Sequence, residues 1–281
     1  MIGVSGVSGH DPAAVRPLVM GVLNVTPDSF FDGGDYFDHG AAIARGRQMI
    51  AEGADIVDIG GESTRPGAPP VAEGEELRRV IPVIEALAGD VRVSIDTTKA
   101  GVARRAVDAG AFMVNDVSSS LHDVAAETGA VFVAMHRKGT PADMQADPRY
   151  DDVVAEVTDY LAARAASAVE AGVVEVWVDP GIGFGKTGRH NLQLLARLGD
   201  VVALGYPVLV GTSRKSFLGR IVAGTLDSEG PPAPVEQRYE GSLASATVAM
   251  VNGAAAVRVH DVAATVQAAT LVGSMRSAVP A

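Results

Sequence analysis

The regular alternation of short apolar segments with longer amphipathic segments constrains the fold of this chain more than any other feature. Eight apolar runs typical of buried strands are each followed by a segment with helical periodicity. The predicted strands are 18–25, 54–59, 91–96, 112–116, 131–136, 175–179, 207–211 and 256–260. Eight such units in 281 residues predict an α/β fold, a (β/α)8 TIM barrel with its active site at the C-terminal ends of the strands.

The remaining segments complete this pattern. The predicted helices are 41–52, 73–88, 99–109, 122–128, 151–171, 190–203, 217–222, 239–252 and 262–275, so either an additional helix precedes strand eight or the seventh helix is broken. A doubly wound sheet is the alternative, but it usually has fewer units and a phosphate-binding loop after its first strand. Residues 1–16 have the composition of a disordered leader, and 17–281 form one predicted domain.

Charge and composition exclude several classes of partner. The formal charge is 23 − 34 = −11, which argues against nucleic acid or an anionic membrane as the main partner. No apolar run reaches the roughly 18 residues that span a bilayer, and the N-terminus lacks the pattern of a signal peptide. The absence of cysteine excludes disulfides and thiolate catalysis. We expect a cytoplasmic protein that acts on small molecules.

Nearly every predicted strand ends in a polar or charged residue. Asp and Asn are favoured helix N-caps, so some of these residues have a purely structural role. The convergence of so many polar groups on one rim of a barrel nevertheless predicts a functional site. The groups are Asn24, Asp58, Glu62, Asp96, Asn115, Asp116, His136, Asp179, Ser213, Arg214, Lys215, Arg258, His260 and Asp261.

These side chains suit a flat, anionic ligand. Asp96, Asn115 and Asp179 are short groups that can pair with the ring N–H and amino groups of a heterocycle, and the planar guanidinium of Arg258 can stack on the ring. A phosphate could be held by Asn24, Arg65, Arg258 and His260. Mg²⁺ suits such a site, because substrate phosphates complete its coordination.

Two cations follow the seventh predicted strand, next to a predicted helix N-terminus. Positive charge is disfavoured at that end of a helix. An arriving anion would explain Arg214 and Lys215, and the alternative is an ordinary loop with solvated charges. Nearby, Gly185-Lys186-Thr187 resembles the end of a Walker A loop, but Pro180 stands where that motif needs glycine. We therefore expect these glycines to approach a flat ligand instead, with Phe184 as one wall.

Eight segments together resemble the dihydropteroate synthase family. They are GVLNVTPDSFFDGG (21–34), DIGGESTRPGA (58–68), SIDT (94–97), NDVS (115–118), MHRKGTP (135–141), DPGIGFGKT (179–187), GTSRKSFLG (211–219) and RVHDV (258–262). These segments span nearly the whole chain in the order and spacing of the family. The agreement of several independent strand-end motifs is far more specific than any single one.

The resemblance implies a pterin-binding (β/α)8 barrel, usually a homodimer. It would join 4-aminobenzoate to 6-hydroxymethyl-7,8-dihydropterin diphosphate, giving 7,8-dihydropteroate and diphosphate. Asn24 matches the Mg²⁺ ligand, and the residues with catalytic roles are Lys215, Arg258, His260 and Arg65. The implied substrate contacts are Asp96, Asn115, Asp179, Thr64, Pro66, Phe30, Gly183, Phe184, Met135, Ser213 and Ser216, with Lys215 also on the pterin.

Two other functions are compatible with these sequence features. A pterin-binding methyltransferase domain would share the barrel, but it has no use for Arg65, Lys215 and His260 as a set. A non-catalytic synthase paralogue is the second, although this chain keeps both the Arg65 loop and the Ser213–Lys215 cluster. The chain departs from the family at Ser119–His122, so the fourth loop is expected to differ.

Overall fold

The fold is an eight-stranded parallel barrel. The computed structural model describes residues 16–26, 39–63, 70–139, 144, 148–228 and 230–278. The strands pair in the order β6-β5-β4-β3-β2-β1-β8-β7, and a parallel bridge between Val178 and Val208 joins the two ends of the sheet. The strands are β1 Leu18–Asn24, β2 Ile56–Gly60, β3 Arg92–Asp96, β4 Met113–Asp116, β5 Val131–Met135, β6 Val176–Asp179, β7 Leu209–Val210 and β8 Ala256–Val259. The predicted (β/α)8 barrel is confirmed.

Helices alternate with the strands around the barrel. They are α1 His39–Ala51, α2 Glu73–Leu87, α3 Ala100–Asp108, α4 His122–Thr128, α5 Val153–Glu170, α6 Gly188–Ala196, α7 Leu198–Val202, α8 Ser216–Val222, α9 Tyr239–Val251 and α10 Val262–Ala278. The predicted additional helix before strand eight is present, since both α8 and α9 lie between β7 and β8. The single helix predicted at 190–203 is instead two helices, because the backbone at Arg197 leaves the helical region at φ −108°, ψ 29°.

The interior of the barrel determines which residues can form a site. Its apolar layer consists of Met20, Ile56, Met113, Val133, Trp177, Leu209 and Ala256. Strand side chains alternate between the two faces of a sheet. The residues two positions further along these strands therefore also point inward, and they are Val22, Asp58, Asn115, Met135, Asp179, Gly211 and Arg258. A polar layer of side chains thus lies directly above the apolar layer, on the side of the C-terminal strand ends.

Arg16, the last residue of the predicted leader, is bound to the barrel. Arg16 forms a two-pronged ion pair with Asp55 at 2.8 and 2.9 Å, and Asp55 also accepts a hydrogen bond from the backbone of Val19. Arg16 therefore belongs to the barrel, whereas residues 1–15 lie outside the described part of the chain. Among the described residues, no helix is long and apolar enough to cross a membrane.

Candidate active site

Asp58 is at the centre of the polar layer. Its Oδ2 atom accepts hydrogen bonds from Arg258 Nε at 2.6 Å and from Asn115 Nδ2 at 3.1 Å. The second arm of Arg258 donates to Asp96 Oδ2 at 2.8 Å. Arg258 thus bridges two buried carboxylates, and the network joins the ends of β2, β3, β4 and β8. Asp58 is fully buried, and Asp96 and Asn115 are 9% and 6% exposed.

Burial controls the charge of this network. It raises the pKa of Asp96 to about 7, although the neighbouring Arg258 acts to lower it. Burial alone would lower the pKa of Arg258, but Asp58 and Asp96 more than offset this and raise it. The guanidinium therefore stays charged, while Asp96 titrates near neutral pH. A ligand that donates hydrogen bonds to Asp96 would favour its carboxylate form.

The opposite wall consists of Asp179, Lys215 and the loop after β6. Asp179 Oδ1 accepts a hydrogen bond from Gly181 N at 2.7 Å. The ammonium group of Lys215 donates to the carbonyl oxygen of Ile182 and lies 4.7 Å from the centroid of the Phe184 ring. Burial lowers the pKa of Lys215 to about 8, with Asp179 opposing that shift. Burial also raises the pKa of Asp179, which Lys215 partly counteracts.

The two adjacent cations have different surroundings. Arg214 pairs with Asp261 at 2.7 Å, and its backbone N–H donates to Ser242 Oγ at 2.9 Å. The ion pair with Asp261 accounts for the position of Arg214, so no bound anion is needed to explain this cation. Lys215 instead turns toward Asp179 and the loop after β6. The structure thus separates the two residues, with Lys215 directed toward the C-terminal end of the barrel.

The end of β8 is tied to the Ser213 loop. Ser213 Oγ lies 2.9 Å from Nδ1 of His260 and accepts a hydrogen bond from the His260 backbone at 3.2 Å. Ser213 therefore fixes the orientation of the His260 ring. Ser216 is exposed in the first turn of α8. Both serines lie beside Lys215, and within the described part of the chain Ser213 is the one of the two that bonds another predicted site residue.

Other predicted contacts line the same end of the barrel. Asn24 ends β1 and is half-buried next to Gly60 of β2. Met135 is buried at the end of β5, and its backbone is bonded to Ser119 Oγ. Gly183 N donates to Asn191 Oδ1 at 2.7 Å. The predicted residues Phe30, Thr64, Arg65 and Pro66 lie outside the described residues.

Several strand-end groups have structural roles. Asp116 accepts hydrogen bonds from three backbone N–H groups of the turn that follows it, at Ser118, Ser120 and Leu121. Glu62 forms an ion pair with Lys99, which also pairs with Glu76 of α2. In the described ranges, no group of three or more His, Asp or Glu side chains could hold a metal.

Sequence reasoning assigned no role to Asp58 or Lys186. Asp58 is one of the strand-end residues, and its alternation with Ile56 is the signal that places it inside the barrel. The sequence around Lys186 suggests only a phosphate-binding loop, which Pro180 excludes. The structure buries Lys186 to 2% exposure beneath the loop that contacts Lys215. Nothing in the local sequence distinguishes it from a solvent-exposed lysine.

Comparisons with known proteins agree with this geometry. Residues 20–260 match the family of pterin binding enzymes. The dihydropteroate synthase of Escherichia coli K12 is 46% identical over 271 residues, covering 94% of this chain and 93% of its own length. The Xanthomonas albilineans dihydropteroate synthase solved with 4-aminobenzoic acid is 47% identical, covers 94% of both chains and has a TM-score of 0.84. The structure of the same enzyme in complex with 7,8-dihydropteroate is 44% identical in sequence and has a TM-score of 0.81. The match covers 94% of this chain and 95% of that chain.

The fold and these similarities together define the class of this protein. It is a pterin-binding enzyme built on a (β/α)8 barrel, with buried polar side chains at the C-terminal ends of its strands. Within that class, the chain belongs to the dihydropteroate synthase family.

Proposed function

We propose that this chain condenses 6-hydroxymethyl-7,8-dihydropterin diphosphate with 4-aminobenzoate to give 7,8-dihydropteroate and diphosphate. One observation carries this function for a chain of this family. Asp96, Asn115, Asp179 and Lys215 follow four different strands at the C-terminal end of the barrel, and the first three are buried there. Such a set of short acceptors with one compact ammonium matches the polar edge of a pterin ring.

The pocket residues hold the ring and stabilise charge. Asp96 and Asp179 accept hydrogen bonds from ring N–H and amino groups, and Lys215 donates to a ring oxygen or nitrogen. The bond between the pterin methylene carbon and the diphosphate oxygen breaks, and the amine of 4-aminobenzoate forms the new C–N bond and loses a proton. Arg65, Arg258 and His260 are proposed to stabilise the departing diphosphate. The cleavage is expected to be SN1-like.

Positioning and electrostatics are sufficient for this reaction. Diphosphate is a good leaving group once its charge is neutralised, so the protein needs no nucleophile. Cysteine is absent from the sequence. Aminobenzoate is proposed to contact Thr64, Pro66, Phe30, Phe184 and Ser216. Gly183 and Met135 would contact substrate beside the ring.

Mg²⁺ is proposed as the cofactor, with Asn24 as its protein ligand. The donor set fits, because Asn24 offers one neutral oxygen donor at the mouth and the described residues contain no acidic metal cluster. Mg²⁺ normally combines one or two protein ligands with substrate phosphates and water. Bound there, it would neutralise charge on the diphosphate. Turnover should therefore stop in excess chelator and return with added Mg²⁺, and full activity in chelator would refute this assignment.

A homodimer is proposed from the outer surface of α9 and α10. These adjacent helices expose four large apolar side chains, Val248, Val251, Leu271 and Met275, at 47%, 54%, 60% and 52%. A second copy of the chain would remove this surface from water. Val251→Lys with Leu271→Lys should shift the sedimentation coefficient from dimer to monomer. A wild-type protein that sediments as a monomer would contradict the proposal.

The function is tested by measuring diphosphate release with both substrates and with each omitted. Release should require both, whereas a methyltransferase domain or a binding paralogue would bind pterin without releasing diphosphate. Calorimetry tests the pocket separately. Asp96→Asn and Asp179→Asn should each weaken pterin binding by about 1.5–3 kcal/mol, the range for hydrogen bonds to charged groups. Asp227→Asn, in an exposed ion pair with Arg189, is the matched control and should leave affinity unchanged.

A further inference from the structure

The proposed mechanism does not use Lys186, although this lysine is almost completely buried. Its Nζ atom lies 2.8 Å from Nδ1 of His136 and donates to the carbonyl oxygens of Gly181 at 3.0 Å and Phe184 at 3.1 Å. In the described part of the chain, no carboxylate is within ion-pair distance of Lys186. A buried ammonium without a carboxylate is costly unless its donors are satisfied. Here backbone carbonyls and an imidazole ring satisfy them.

The loop that surrounds Lys186 is shaped by glycines. Gly181 and Gly185 have positive φ angles of 65° and 64°. A β-carbon at Gly181 would overlap the carbonyl oxygen of His136, and one at Gly185 would overlap that of Lys138. The loop therefore packs directly on the residues that follow β5. This close approach turns its carbonyl groups toward the ammonium of Lys186.

The outer side of the same loop contacts Lys215. The carbonyl oxygen of Ile182 accepts a hydrogen bond from Lys215, and the Phe184 ring lies beneath its ammonium. A β-carbon at Gly183 would lie 3.1 Å from Cδ of Lys215. Residues 181–184 thus lie between two lysines. Lys186 binds the loop from the inside through the carbonyl oxygens of Gly181 and Phe184. On the outside, Ile182 and Phe184 fix the position of Lys215.

We propose that Lys186 is a positioning residue that organises loop 181–186 around its ammonium group and thereby places Lys215 and Phe184 for the reaction. The role in catalysis rests on the proposed function, whereas the structural coupling between the lysines does not. Lys186 acts through the loop carbonyls rather than on substrate.

The charge states of His136 and Lys186 agree with this positioning role. Burial lowers the pKa of His136 to about 3, so its neutral ring can accept a hydrogen bond from Lys186 at Nδ1. Burial lowers the pKa of Lys186 to about 7, with Asp179 opposing that shift. Even an uncharged amine at Lys186 can still donate to two carbonyl oxygens.

A double-mutant cycle tests the coupling. Lys186→Met keeps an unbranched side chain that is one atom shorter but removes its donors. It should lower kcat/KM for the pterin diphosphate by on the order of 10- to 100-fold, the loss expected when a reacting group moves by about 1 Å. In a Lys215→Ala background the same change should cost less than about threefold, because its effect passes through Lys215. Lys138→Met, which removes a half-exposed cation nearby, is the control and should have little effect in either background.

Full additivity of the two changes would overturn the proposal, since Lys186 would then act independently of Lys215. A Lys186→Met variant that folds and keeps wild-type kcat/KM would overturn it as well. Circular dichroism and urea unfolding establish that each variant is folded. If Lys186→Met does not fold, Lys186→Gln, which retains a donor, provides a second variant for the same cycle.

A second measurement requires no turnover. The chain contains four lysines, Lys99, Lys138, Lys186 and Lys215, so 13C labelling of lysine gives few signals to assign. The Cε resonance of Lys215 should titrate at a different pH in Lys186→Met than in the wild type, and remain unchanged in Lys138→Met. An identical titration in all three proteins would overturn the coupling. If wild-type protein fails to release diphosphate, the proposed function fails while this measurement still tests the coupling.

Discussion

Lys215→Ala is the change that should separate the two cations after β7 most sharply. The Lys215 ammonium group donates to the loop after β6 and is attracted electrostatically by Asp179. A hydrogen bond to a charged group contributes about 1.5–3 kcal/mol. At about 1.36 kcal/mol for each factor of ten, its loss should lower kcat/KM by roughly 10- to 160-fold. The assay is diphosphate release with 4-aminobenzoate saturating and the pterin diphosphate varied.

Arg214→Ala is the matched control, because it removes a cation one residue away. Its ion pair with Asp261 is partly exposed, with side chains 40% and 27% accessible. Such pairs contribute about 0.2–1 kcal/mol, so kcat/KM should fall at most about fivefold even if all of that energy affected the reaction. Unfolding in urea should show both variants folded. The reasoning fails if Arg214→Ala proves the more damaging substitution.

Lys215→Arg tests whether charge alone is enough. The stem of Lys215 already runs close to Gly183, where a β-carbon would lie 3.1 Å from Cδ. The guanidinium group is larger and planar, and cannot replace a compact ammonium in that space. Activity should therefore stay near that of Lys215→Ala. Near-normal turnover of both substrates by Lys215→Arg would show that only positive charge is needed.

Two further predictions concern pH and stability. Binding of an unreactive pterin without phosphate, measured by calorimetry, should strengthen as pH rises through about 7, where Asp96 ionises, and weaken above about 8, where Lys215 loses its proton. Asp96→Asn should abolish the acid limb and Lys215→Ala the alkaline limb; a pH-independent affinity would contradict both assignments. Separately, the Ser94 hydroxyl is buried without a hydrogen-bond partner among the described residues, whereas Ser119 Oγ bonds both backbone groups of Met135 at 2.7 Å. Ser119→Ala should lower the free energy of unfolding by about 1–3 kcal/mol and Ser94→Ala should not lower it; urea titration giving the reverse order would refute the comparison.

The barrel and the rim of the pocket could be predicted because both depend on short-range sequence patterns. Apolar runs separated by helical periods specify strands, and alternation along each strand specifies which residues face inward. Asp179 follows Trp177 by two positions, and Asn115 follows Met113 in the same way. Parallel strands bring their C-terminal ends to one side. The convergence of these two residues therefore follows from local spacing and the order of the strands.

The partners of each charged group could not be predicted in this way. Arg258 bonds Asp58, 200 positions away, and Asp96, 162 positions away. Lys186 contacts His136 across 50 positions. Such contacts depend on side-chain conformations that strand spacing does not specify. Sequence reasoning could place Arg258 in the pocket, but it could not show that its guanidinium joins two carboxylates.

The layering of the barrel gives a physical reason for the order of the proposed contacts. Asn115 and Arg258 lie directly above the apolar layer of the barrel, while Asn24 and His260 lie one layer closer to the C-terminal ends of the strands. The deeper layer balances carboxylates against a guanidinium, so it suits the uncharged hydrogen-bonding edge of a heterocycle. A highly charged diphosphate would be costly to bury at that depth. Placing it in the outer layer, where Arg258 contacts it only from the layer below, lets solvent and a metal ion share its charge, and it lets the product diphosphate leave while the ring stays bound.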